Sequence, residues 1–183
     1  MKHFPFAALL AAALTIALSA CASASAPAAT PTPVPQWLGA ALTDINTGKT
    51  FTIDDFKGKV VMVEDMAQWC TTCKAQQDQI KAMRAQLSST ADLVSVDLDI
   101  DPNEHADTLK TYTASHGYDW MYAVPSKDVA REIGNVYGAQ FLNPPSAPMM
   151  IIDRQGVSHP LPFGVKSADS LMKALQPYLS AGA

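Results

Sequence analysis

Hydrophobic positions fall into three regimes along the chain. From Phe4 to Leu18 they run almost unbroken; over 22–36 they give way to alanine, serine, threonine and proline; from Leu38 onward they take the periods of a folded domain. Leu38 to Thr43 and Thr50 to Ile53 flank the turn signal Asn46-Thr47-Gly48 and predict a short hairpin. Asp54 to Lys59, with Gly58, reads as a loop. Val60-Val61-Met62-Val63 suits a central strand covered on both faces. Cys70 to Leu87 contains no glycine or proline and puts Ile80, Met83 and Leu87 on one face of a helix. Leu93 to Ile100 alternates, with Val94, Val96, Leu98 and Ile100 apolar and Asp97 and Asp99 polar, as a strand does.

Pro102 to His116 then predicts a helix with Leu109 and Tyr112 inward and Gly117 as its stop. Trp120 to Val124 reads as a short strand and Val129 to Tyr137 as a helix. Met149 to Ile152 is a strand, Asp153-Arg154-Gln155-Gly156 a hairpin turn, and Val157 to Phe163 its return. Ser167 to Leu179 is a last helix, with Ser167 at its N-cap and Leu171, Ala174, Leu175 and Tyr178 inward. Strands alternating with helices, then a hairpin and a helix, predict an α/β fold with a mixed sheet covered on both faces.

A chain of 183 residues, 48% apolar and 16% charged, allows one domain with a substantial core plus appendages. A net charge of −4 offers no basic surface for nucleic acid. Lys2 and His3 ahead of the apolar run give the layout of a secretory signal, too short to span a bilayer comfortably. Leu18-Ser19-Ala20-Cys21 resembles the lipobox of bacterial lipoproteins, in which the peptide is cut before the cysteine and that cysteine is lipidated. The alternative is ordinary secretory cleavage after Ala20 or Ala22. Both place the chain outside the cytosol, where disulfide chemistry is permitted. The expected organisation is a signal peptide over 1–20, a semi-rigid tether over 21–36 that lets Cys21 hold the domain at a membrane, and one domain over 37–183.

Lipidation of Cys21 would leave two of the three cysteines, Cys70 and Cys73. Three positions apart on a helix, they share the first turn. A thiolate there meets the helix dipole and unpaired amide N–H groups, which lower its pKa and make it a nucleophile near neutral pH. The second thiol can then attack a mixed disulfide. Asp97 to Thr108 imitates a calcium loop but has Pro102 where a glycine is needed and Thr108 where a glutamate is needed. His105, His116 and His159 share no spacing with the cysteines, so no metal site is expected.

Together these stretches resemble a thioredoxin fold, and more narrowly the membrane-anchored TlpA-like and ResA-like thiol–disulfide oxidoreductases. The resemblance rests on Phe56 to Val63, on Met66-Ala67-Gln68-Trp69-Cys70-Thr71-Thr72-Cys73, on a strand–helix insertion ending in His116-Gly117, and on Ala147-Pro148 leading into Met149 to Asp153 and Gly156. It implies a cis bond at Pro148, with Pro144 and Pro145 as competitors. In that reading Trp69, Ala147 and Pro148 dock a substrate chain beside the sulfurs. It also implies a buried carboxylate at Glu64, six positions before Cys70, that passes protons to the resolving thiol. Asp65 competes for that role, since alternation sends only one of the two inward.

Further implications are protein disulfide substrates, including apocytochrome c or copper-centre assembly proteins, a membrane thiol donor, a reductase direction, and no organic cofactor beyond the disulfide. Two departures stand out. Asp65-Met66 replaces part of the family's aromatic pair, and Thr71-Thr72 sits between the cysteines. The alternative is a Sco-like Cu(I) metallochaperone using Met66 and Met149, but that family spaces its cysteines CxxxC and needs a histidine where this chain has Asn143 to Pro148.

Overall fold

The computed structural model describes Met1 and residues 34–180. The expected signal peptide, the lipidation site Cys21 and all but the last residues of the expected tether lie outside the described residues.

In chain order the elements are β1 (Leu42–Thr43), β2 (Thr50–Phe51), β3 (Val60–Met66), α1 (Thr71–Gln86), β4 (Leu93–Asp99), α2 (Ala106–His116), β5 (Met121–Ala123), α3 (Lys127–Tyr137), β6 (Met149–Ile152), β7 (Ser158–Pro160) and α4 (Ala168–Ser180). Strands β1 and β2 form a small antiparallel hairpin. The main sheet has the order β5-β4-β3-β6-β7, parallel through β5, β4 and β3 and antiparallel through β6 and β7. This is the mixed sheet that the alternation of elements predicts, in the thioredoxin-like arrangement that the resemblance implies. Among the described residues no helix is long and apolar enough to cross a membrane.

Strand β3 lies at the centre and all seven of its residues are buried. Alternate side chains leave a strand on opposite faces. Val60, Met62 and Met66 join one core with Leu93, Tyr122, Met149 and Ile151, against α1, α2 and α4. Val61 and Val63 join a second core with Val96, Leu98, Met150 and Ile152, against α3 and the N-terminal Trp37 and Leu38. A strand covered twice is apolar at successive positions, and each fully buried Val, Leu or Ile side chain contributes about 1.5–3 kcal/mol.

Several boundaries differ from the sequence reading: Gln36–Gly39 is a 3-10 helix and the strand expected over Leu38 to Thr43 is only Leu42–Thr43, and three further differences have a visible local cause. Strand β3 continues through Met66, because the ladder extends through Glu64–Asp97, Asp65–Leu98 and Met66–Asp99. Helix α2 starts at Ala106, not Pro102, because an Asp101 carboxylate oxygen accepts the Asn103 N–H at 2.9 Å and holds a turn there. Ile53–Phe56 is a short 3-10 helix rather than an open loop, closed by a reciprocal Thr52–Asp55 capping box. The stop at Gly117 is as expected: φ is 63°, and the Gly117 and Tyr118 N–H groups donate to Ala114 and Thr113 carbonyls.

Candidate active site

Strand β3 delivers the chain to a loop, Ala67-Gln68-Trp69, and Cys70 then caps α1 in an extended conformation (φ −83°, ψ 109°). Its Sγ accepts the Cys73 N–H at 3.1 Å, so the sulfur occupies the place of a capping oxygen. Cys70 and Cys73 are joined as a disulfide, with Cα atoms 5.2 Å apart. Cys73 is fully buried and its Sγ lies 3.3 Å from the Pro144 carbonyl oxygen; Cys70 keeps 2% exposure. Cys70 is the less enclosed of the two, and both are buried.

Acidic side chains pin the loop before the disulfide. The Trp69 indole N–H donates to Asp101 Oδ2 at 2.6 Å, while its ring stays 58% exposed. The Gln68 N–H donates to Glu104 Oε2 at 2.7 Å and its side-chain amide to Asp99 Oδ2 at 2.9 Å. Burial pushes Asp99 up to about 8, with Glu104 adding to the rise.

The proline loop does not take the expected form. Among the described residues no peptide bond is cis, so Ala147–Pro148 is trans. The chain reverses instead through Ala147, which adopts the left-handed region (φ 45°, ψ 58°). For a residue with a Cβ this conformation costs on the order of 1–2 kcal/mol. It is held by the Ala147 N–H donating to Pro144 O at 2.8 Å and by the Lys166 ammonium donating to Ala147 O at 2.6 Å. The Pro148 carbonyl accepts the Asp65 N–H at 3.1 Å, which ties this loop to β3.

Glu64 is fully buried and lies in register between Asp97 on β4 and Met149 on β6. By alternation it shares the face of Met62 and Met66, the face that carries Cys70 and Cys73. Burial pushes its carboxyl well above the ordinary value, and Asp97 and Asp65 push it further, while Lys166 opposes them. Asp65 is also buried, contrary to the expectation that only one of the two turns inward. Alternation does separate them, but both faces of the sheet are covered. Asp65 too is pushed well up, by burial and by Asp97.

Three groups are added by the structure. Asp97 is buried and pushed up to about 7, mainly by loss of solvent. Asp99 anchors the dithiol loop. Lys166 donates to both Ala147 O and Gly164 O at 2.6 Å, and burial brings it down to about 8 against the pull of Glu64. The polar phase of β4 was visible in the sequence, but its covering by α1 and α2 was not. Lys166 had no local signal at all.

Cys70, Cys73, Glu64, Trp69, Ala147 and Pro148 all gather at one end of the sheet, where β3 ends and β6 begins. The arrangement can accept and release an electron pair at sulfur, and it holds a buried carboxyl from which a proton can be exchanged. Among the described residues no group of three or more His, Cys, Asp or Glu side chains is placed to hold a metal ion.

The model of the family described as Redoxin matches residues 22–158. No curated protein matches the chain. Among solved structures, DsbF of Mycobacterium tuberculosis aligns at 17% identity over 80% of this chain and 99% of its own, with a TM-score of 0.61. A thiol:disulfide interchange protein of Chlorobium tepidum aligns at 20% identity over 83% and 99%, with a TM-score of 0.58. A secreted thiol-disulfide isomerase of Corynebacterium glutamicum aligns at 15% identity over 77% and 83%, with a TM-score of 0.61.

Proposed function

The chain belongs to the redoxin family, and we propose that it is an extracytoplasmic protein thiol–disulfide oxidoreductase working as a reductase. The observation that carries this reading is the Cys70–Cys73 disulfide at the N-terminus of α1, with Cys70 Sγ receiving the Cys73 amide N–H and Cys73 Sγ against the Pro144 carbonyl oxygen of the loop that leads to Pro148.

In the reduced enzyme the Cys70 thiolate, favoured by the helix N-terminus, attacks a substrate disulfide and forms a mixed disulfide, expelling one substrate thiolate. Cys73 loses its proton and attacks Cys70 Sγ, releasing the second substrate thiolate and closing the Cys70–Cys73 bond. Two electrons pass to the substrate, and Glu64 takes the Cys73 proton. Trp69, Ala147 and Pro148 dock the substrate chain. The disulfide is itself the redox group, so no organic cofactor enters.

The extracytoplasmic setting is supported by the signal-like Phe4 to Leu18 run and by the likeness to the secreted Corynebacterium isomerase. Lipidation of Cys21 would tether the domain to the membrane, where a thiol donor restores the dithiol. Apocytochrome c or copper-centre assembly proteins are the substrates that the TlpA- and ResA-like resemblance favours.

The test is the reduction potential of the Cys70–Cys73 couple, titrated anaerobically without metal. A value at or below about −220 mV supports a reductase, and one near about −120 mV makes the protein an oxidant. Failure to form a reversible disulfide would remove the exchange reading and make Cu(I) titration the next measurement.

A further inference from the structure

Asp97 is a buried carboxylate that the steps above do not use. It is the partner of Glu64 in the parallel β3–β4 ladder, and strands so paired lie about 4.8 Å apart. Residues two apart on a strand share a face, so both side chains leave the sheet on the side of the disulfide. Both are at least 99% buried. Neither Glu64 oxygen has a hydrogen-bond partner among the described residues, and neither has Asp97 Oδ2.

The surroundings set the charge. From α1, Arg84 acts on Asp97 and no cation acts on Glu64; from β5 and α2, Tyr122 and Tyr112 are held neutral by burial and by these same carboxylates. From the loop before α4, the Lys166 ammonium faces Glu64. Asp99, further along β4, is engaged by Gln68. Two carboxylates side by side away from water resist ionising together; the Lys166 ammonium facing Glu64 supports one negative charge, while Arg84 is engaged by Asp119 at 3.5 Å and by Ser95 at 3.2 Å. That leaves at least one proton on the two carboxyl groups.

We propose that Glu64 and Asp97 act as one acid pair holding a single exchangeable proton for Cys73, with Asp97 the positioning residue that keeps that proton on Glu64. The proposal rests on the exchange chemistry above. When a donor thiolate attacks Cys70 Sγ, the Cys70–Cys73 bond breaks and its electron pair leaves on Cys73; the acid pair, which carries a second proton while the disulfide is closed, passes it to the Cys73 thiolate and keeps one. When Cys73 later attacks the mixed disulfide, its proton returns to the pair, and the electron pair of the broken bond leaves on the substrate sulfur. The thiols involved supply every electron.

The test is a carboxyl-carbon NMR titration of the oxidised protein, with and without Asp97→Asn, alongside the pH profile of Cys73-dependent release of a mixed disulfide. In the wild type the Glu64 and Asp97 signals move together through two shared steps. In Asp97→Asn the Glu64 signal moves in one step, displaced to lower pH by about one unit or more, because a raising charge is gone. The base limb of the release profile is displaced to lower pH by the same amount, so release just below neutral pH speeds up as more of Glu64 stands ready to take the Cys73 proton. A Glu64 titration unmoved by Asp97→Asn overturns the proposal. If that variant does not fold, independent single steps for the two groups in the wild type overturn it instead. The titration needs no turnover, so a wild type that fails to exchange disulfides refutes the functional reading, and the thiol step with it, by a separate signal.

Discussion

One sheet has two faces, and they bury different things. Toward α3 it presents Val61, Val63, Val96, Leu98, Met150 and Ile152, with Asp65 as the one acid that β3 adds there. Toward α1 it presents Met62 and Met66 but also Glu64, Ser95, Asp97 and Asp99, all buried. Removing an unpaired polar group from water costs on the order of 1–3 kcal/mol, and a charge costs more. The two faces therefore divide the labour. The α3 face supplies folding free energy, and the α1 face gives some of it up to keep protons and sulfurs together.

The sharpest way to break this division is at the disulfide. Cys70→Ala is expected to abolish exchange entirely, while Cys73→Ala accumulates a mixed disulfide with substrate that gel electrophoresis without reductant displays. Unfolding of either variant should match the reduced wild type. On the opposite face the effect is reversed. Ile133 on α3 is fully buried there, and Ile133→Ala should cost about 2–5 kcal/mol in urea unfolding while leaving the reduction potential where it was. A potential that shifts with Ile133 would show that the faces are not separable.

Glu64→Gln tests the α1 face with nearly unchanged shape. Release of the mixed disulfide should slow roughly 100-fold, the lower end of what a general acid–base group contributes. Stability at pH 8 should not fall, since a carboxyl that burial resists ionising becomes a neutral amide. A rate unchanged within about twofold would remove Glu64 from the proton path.

These contrasts rest on features that the sequence shows unevenly. The order of elements was legible because each has its own period and its own stop, such as the Leu93–Ile100 alternation and Gly117. The dithiol was legible because its chemistry is local: two residues on one turn. Glu64 was legible through a resemblance, and its burial followed. Asp97 and Asp99 were not. Alternation says that they share a face, but a solvated polar face and a covered one have the same pattern in one strand, and only the packing of α1 and α2 distinguishes them. Lys166 lies far along the chain from both Glu64 and Ala147, and no local rule connects it to either. The reversal at Ala147 replaced the expected cis bond because hydrogen bonds from Lys166 and to Pro144 hold a left-handed alanine there.

The α1 face also sets how stability depends on pH. Asp97 and Asp99 hold their protons up to about 7 and about 8, and Glu64 and Asp65 are raised as well. Near pH 4 the unfolded chain keeps these protons too, so the two states differ little. Above that the unfolded chain releases them and the native state does not, so stability falls as pH rises toward about 8. Each unit of raised pKa corresponds to about 1.4 kcal/mol, so these carboxyls together should make unfolding at pH 8 easier than at pH 5 by several kcal/mol. Urea midpoints at the two pH values measure it; equal midpoints would mean that the carboxyls are paired or solvated in the native state.

The smallest effect is also the most discriminating, because it places one substitution on each face. Asp65→Asn and Asp97→Asn make the same chemical change in two buried carboxyls; among the described residues neither Asp65 oxygen has a hydrogen-bond partner, nor has Asp97 Oδ2. An amide is about as costly to leave unpaired as a protonated carboxyl, so neither variant gains from better hydrogen bonding. What each loses is a carboxyl that the native state keeps protonated to higher pH than the unfolded chain does. Asp65→Asn should therefore stabilise the protein at pH 8 and change it little near pH 4. Its mixed-disulfide release should keep the wild-type rate and pH profile, since its side chain leaves β3 on the face away from the sulfurs. If Asp65→Asn displaced that profile as far as Asp97→Asn, proximity in the sheet rather than the face would govern the dithiol, and the division between the two sides would fail. If it stabilises without touching the profile, Asp65 is a cost that the α3 face carries without return, whereas the same cost at Asp97 is tied to the chemistry.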